Sequence, residues 1–143
     1  FVLSGAIAFS TGSSWSTMAI LYPIAMPMTW TICMNAGMSE AEALPLFYNV
    51  VATVLSASVF GDHCSPISDT SILSSLSSSC NHMAHIRTQS PYAIFIAILS
   101  IAVSLLVSYT GSPFLLNLFL GIMVIILGVR FIGKKVPSAP DNV

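Results

Sequence analysis

Along this chain, apolar runs of membrane-spanning length alternate with short polar breaks, and the breaks hold most of the carboxylate, imidazole and hydroxyl groups. A helix needs about 17 to 25 apolar residues to cross the hydrocarbon core. Several runs approach that length without strand-like alternation, which predicts an all-α, polytopic transmembrane bundle and argues against a barrel. The first segment, FVLSGAIAFSTGSSWSTMAILYPIAMPMTW, is apolar at both ends and interrupted by Ser10-Thr11-Gly12-Ser13-Ser14. Glycine and small hydroxyl residues weaken a helix there and expose backbone carbonyls. Pro23 and Pro27 are then expected to bend or end the continuation. A loop at 35–42 follows, where Ser39 and Glu42 stand at capping-box spacing. A helix over 43–60 should come next, with Pro45 in its first turn.

The stretch GDHCSPISDT, residues 61–70, ends that run, and the serine-rich piece over 70–80 is too short to span alone. A long apolar helix, a Gly/Pro-containing polar break and a short small-residue helix form the pattern of a discontinuous or re-entrant element. Serines 74, 75, 77, 78 and 79 suit close helix packing. NHMAHIRTQ, residues 81–89, reads as an interfacial loop, with Ser90 as N-cap and Pro91 opening a span over 91–109. A turn at 110–113 and a last span over 114–132 complete the pattern. Arg87, Arg130, Lys134 and Lys135 place the cationic ends of this hairpin on one side, cytoplasmic by the positive-inside rule, together with the polar tail 136–143. Residues 1–135 thus read as one multi-pass domain of the cell membrane. The chain opens with Phe1-Val2-Leu3-Ser4 and no basic leader, as though inside a span, so further helices upstream are expected to shield the breaks from lipid.

Composition agrees with lipid as the main solvent: 55% of the 143 residues are hydrophobic and 6% are charged, against about 25% charged in a soluble domain. The net charge of -1 matters less than the placement of charge at span ends and breaks. Cys33, Cys64 and Cys80 have no framework spacing and read as free thiols. Cys80, His82 and His85 have only a faint metal-site spacing, better read as a solvated loop.

Asp62 and Asp69 carry the chemical interest. An ionised carboxylate at membrane depth must pair, bind a cation or take up a proton, and no lysine or arginine lies close by in sequence. Pro66 lacks an N–H and should free the Asp62 carbonyl from helical bonding. Carbonyl oxygen, two carboxylates and the hydroxyls of Ser65, Ser68 and Thr70 make a set of hard oxygen ligands suited to a small alkali cation. Desolvation favours a protonated carboxyl and a bound cation favours the ionised one, so cation and proton compete for one site. His63 can add a second titrating group or stand by as a hydrogen-bonded neighbour. Asp69 can equally serve as N-cap of the following helix, and Cys64 reads as a small packing residue.

GDHCSPISDT, followed by SILSS, Cys80, His85-Ile86-Arg87-Thr88-Gln89 and Pro91-Tyr92-Ala93, closely resembles the late signature of the NhaC-type sodium/proton antiporter family. FSTGSSWSTMAILYPIAMP resembles that family's preceding polar break. The resemblance implies a secondary transporter of the ion-transporter superfamily, with broken helices meeting at a central site. It carries Asp62, Ser65, Ser68, Asp69 and Thr70 into the binding set and adds Thr11, Ser13 and Ser14 from the first break. Sodium and protons are then transported species rather than cofactors, with homo-oligomerisation left open. Ser71, Ser13 and Ser16 depart from threonine, threonine and glycine in relatives, and acidity near Asn81 and Ala84 is lost. An exchanger of carboxylates or amino acids on the same fold is the alternative, since half-helix N-termini can hold an organic anion. An intramembrane hydrolase fits poorly, because neighbours in sequence rarely set nucleophile, base and oxyanion hole in register.

Overall fold

A computed structural model of the chain describes residues 1–110 and 114–132. Among them are six helices and no strand: α1 (Val2–Thr11), α2 (Ser14–Asn35), α3 (Glu40–Cys64), α4 (Asp69–Ser77), α5 (His82–Thr110) and α6 (Phe114–Ile132). The chain divides into two compact units, Phe1–Gly111 and Ser112–Val143. The described part of the second is α6, with the expected bounds. Residues 111–113 of the expected turn, Lys134, Lys135 and the tail 136–143 lie outside the described residues.

Three helices, Ser14–Asn35, Glu40–Cys64 and His82–Leu106, are long and apolar enough to cross a membrane. Their outer surfaces suit lipid: Ile20, Ile24, Met28 and Ile32 follow one another at helical spacing on α2, and all are exposed. The inside is small and polar. Among the described residues, the largest fully buried side chains are Thr17, Ser58, Ser65, Ser68 and Ser75. Without a hydrophobic drive between helices in lipid, close backbone approach and hydroxyl bonds supply cohesion, and the α1–α3 contact is built that way. Ser4 Oγ donates to the Val54 carbonyl at 3.1 Å and lies 2.9 Å from Ser58 Oγ, while Ala8 and Ala57 are fully buried between the two helices. A Cβ on Gly61 would overlap the Gly5 carbonyl oxygen and stand 2.7 Å from Ala8 Cβ, so only glycine permits this crossing.

Of the two outcomes expected at Pro23 and Pro27, bending or ending, the helix does not end: α2 runs on to Asn35. Two expected helix starts are corrected. α3 starts at Glu40, ahead of 43, so Pro45 lies inside it rather than in its first turn. The capping spacing itself holds: the Ser39 N–H donates to Glu42 Oε2 at 2.9 Å. α5 starts at His82 rather than Pro91, because the Asn81 side chain caps it by accepting from the Ala84 N–H at 3.1 Å. Ser90 is therefore helical, its hydroxyl donating to the Ile86 carbonyl at 2.7 Å. The reason is shared. A proline removes one backbone bond, whereas ending a helix exposes several, which apolar surroundings make costlier.

Candidate functional site

The two interruptions fall where the polar residues cluster. α1 stops at Thr11 and α2 starts at Ser14, leaving Gly12 and Ser13 between them. Gly12 takes the left-handed φ of 65° and donates its N–H to the Ala8 carbonyl at 2.8 Å. Ser13 caps α2 by accepting from the Ser16 N–H at 3.3 Å. Ser10 Oγ donates to Ala6 O at 2.8 Å and Thr11 Oγ1 to Ile7 O at 2.9 Å, both back into α1. Thr17 is fully buried behind this turn, its hydroxyl donating to Ser13 O at 3.0 Å.

The second interruption begins later than expected. α3 continues through Gly61, Asp62 and His63 to Cys64, and only Ser65–Ser68 lies between helices. Asp62 is therefore in the last turn of α3, not in a loop. Its carbonyl is not released by Pro66 either, because the chain tightens and the Ser65 N–H donates to Asp62 O at 3.1 Å. α4 is capped by Ser68, which accepts from the Ser71 N–H at 3.4 Å, so Asp69 is the first helical residue instead of the cap.

The two interruptions touch. A Cβ on Gly12 would lie 2.6 Å from the Ile67 carbonyl oxygen, and Ser65 Oγ donates to Phe9 O at 2.7 Å. Asp62 sits at this crossing with only 5% of its surface exposed. Ser68 Oγ donates to Asp62 Oδ1 at 2.7 Å, while Thr70 Oγ1 and Ser14 Oγ reach Oδ2 at 3.3 and 3.4 Å. Ser68 and Thr70 also share a hydroxyl contact of 2.7 Å. Ser14 and Thr70 belong to the first turns of α2 and α4, whose N-termini carry partial positive charge. Two helix ends and three hydroxyl groups thus converge on the Asp62 carboxyl group.

Among the predicted site residues, Asp62, Ser68, Thr70 and Ser14 come together. Ser65, Ser13 and Thr11 stand close by, but their hydroxyls serve the backbone or, for Thr11, also Thr17 at 3.4 Å. Asp69 is exposed in the first turn of α4, and exposed His63 lines an open groove with Phe60, Gln89 and Tyr92. Among the described residues, no three His, Cys, Asp or Glu side chains gather in a way that could hold a metal ion. The packing expected of the serine-rich piece holds for Ser75, whereas Ser74, Ser77, Ser78 and Ser79 are exposed.

One contact went unforeseen. The His82 ring lies 2.8 Å from the Pro66 carbonyl oxygen through Nε2 and 3.1 Å from Ser75 Oγ through Nδ1. The signal that could have found it is Asn81, an N-cap residue that places His82 on the first turn of a helix rather than in a loop.

A helical interior of hydroxyls around one buried carboxylate, with apolar side chains outside, defines a helical membrane protein with a polar crossing inside it. The model of the Na+/H+ antiporter family matches residues 1–110. The chain belongs to that family. An "uncharacterized protein" of Haemophilus influenzae is 43% identical over 112 residues, which are 78% of this chain and 20% of the relative. The chain thus spans about a fifth of the length of that relative. No solved structure matches the chain.

Proposed function

We propose that the chain carries the cation and proton site of an NhaC-type sodium/proton exchanger, and that Asp62 is the group that alternates between a proton and sodium. The observation behind this is the Asp62 carboxylate itself: nine-tenths and more buried, and met by hydroxyl donors from Ser14, Ser68 and Thr70. Hydroxyl groups can donate to a carboxylate or turn their lone pairs to a cation. The same shell can therefore serve the ionised carboxylate and a carboxylate holding sodium, with oxygen ligands of the hard type an alkali cation prefers. When a proton replaces the cation, the charge at the crossing is cancelled without moving a helix end.

Asp69, exposed at the start of α4, is a second acid on the path of the ion rather than part of its innermost shell. α1 and α2, and α3 and α4, act as discontinuous membrane elements whose gaps meet near the middle of the bilayer. Further helices of the intact protein cover the crossing from lipid. The protein resides in the cell membrane, with the basic span ends and the C-terminal tail on the cytoplasmic side, as the distribution of Arg87, Arg130, Lys134 and Lys135 suggests.

The test uses the full-length protein in everted vesicles carrying a proton gradient. Adding sodium should dissipate the gradient with the wild type, and Asp62→Asn should reduce that response to background while leaving the amount of inserted protein unchanged. Wild-type exchange by Asp62→Asn would sink the assignment.

A further inference from the structure

His82 makes both of its ring contacts to the segment that carries Ser68. Pro66, which receives Nε2 at 2.8 Å, lies in the gap between α3 and α4, and Ser75, at 3.1 Å from Nδ1, is buried on α4. One imidazole at the start of α5 therefore ties the gap to the helix that follows it. Ser68 closes the same gap and gives Asp62 its shortest hydrogen bond, so slack at Pro66 becomes slack at Ser68.

A carbonyl oxygen only accepts, so Nε2 carries a hydrogen and donates it to Pro66 O. Ser75 Oγ is held to α4 by the Ser71 carbonyl at 2.8 Å and lies 3.1 Å from Nδ1, so the ring bridges an acceptor in the gap and a hydroxyl fixed to α4.

We propose that His82 is a positioning residue of the exchange site: it holds the Ser65–Ser68 turn against α4 and, through that turn, sets where Ser68 meets Asp62. The inference rests on the exchange reading above for its functional half and on geometry alone for its structural half.

Two measurements on the full-length protein separate these halves. Amide hydrogen exchange over 65–72 should accelerate roughly tenfold in His82→Ala, the size expected from losing one to two hydrogen bonds. His82→Gln, which keeps an N–H for Pro66 and an oxygen for Ser75, should restore protection. In proteoliposomes half-saturating sodium should rise several-fold in His82→Ala and return to the wild-type value in His82→Gln, since the hydrogen bond that Ser68 gives Asp62 is the one loosened. Wild-type protection in His82→Ala overturns the clamp, and wild-type half-saturating sodium in a His82→Ala protein whose 65–72 amides have lost protection overturns the coupling to the site. Absence of sodium exchange in the wild type defeats the functional reading, while amide exchange still decides the clamp.

Discussion

The two interruptions differ in length, chemistry and purpose. Gly12–Ser13 is the shorter, contains no titratable group, and draws its own hydroxyls onto nearby backbone through Ser10, Thr11, Ser13 and Thr17, with Phe9 O left to Ser65. Ser65–Ser68 is longer, is flanked by Asp62 and Asp69, and reaches outward for partners: Phe9 O for Ser65, Asp62 for Ser68 and His82 for Pro66. The first supplies shape and one hydroxyl, Ser14. The second supplies charge. A buried carboxylate costs several kcal/mol unless compensated, and here the compensation comes from groups on both sides of the crossing.

That division can be broken most severely at Gly12. Gly12→Ala adds a side chain at a left-handed residue and sets a Cβ 2.6 Å from Ile67 O. The backbone conformation alone costs of order 1–3 kcal/mol, and the overlap forces the interruptions apart. Thermal unfolding in detergent should show a marked fall in midpoint together with loss of exchange; an unaltered midpoint would mean that the crossing is loose. Next in size is Ser68→Ala, which removes a hydroxyl bond to a carboxylate worth roughly 1.5–3 kcal/mol. Half-saturating sodium in proteoliposomes should rise by about tenfold or more. Ser13→Ala is the control from the other interruption: it loses an N-cap worth about 1 kcal/mol of stability and should leave sodium affinity as it was. Equal effects of the two serine substitutions on affinity would erase the distinction. Smallest is Asp69→Asn, expected to slow exchange a few-fold at low salt and less at high salt, since an exposed charge is screened. A loss as complete as that of Asp62→Asn would move Asp69 into the innermost shell.

Much of this architecture was legible in the chain. The places of both interruptions follow from Gly12 and Pro66 among hydroxyl residues, and the cap ahead of α3 from Ser39 and Glu42, although the helix itself opens at Glu40 rather than 43. What sequence reasoning missed were the extents of helices around proline. Pro23, Pro27, Pro45 and Pro91 all lie inside helices. A local signal weighs only the bond that proline removes; the surroundings decide whether ending the helix would cost more. The same limit explains the Asp62 carbonyl, which the chain captures by tightening one turn onto the Ser65 N–H. Contacts between distant segments, such as Ser14 with Asp62 or His82 with Pro66, depend on how helices cross and leave no periodic trace.

Pro23 and Pro27 stand one helical turn apart in α2, so the Ala19 and Pro23 carbonyls on the same side both lack their usual amide partner. In mechanical terms, two neighbouring rungs are missing from one edge of a ladder whose other edges are whole. Bending stiffness there is low in one direction and ordinary in the rest, which makes the helix a leaf spring rather than a ball joint. A load on the Asn35 end of α2 would flex the helix at that level along a fixed plane while Ser13 and Thr17 keep its first turn anchored at the crossing.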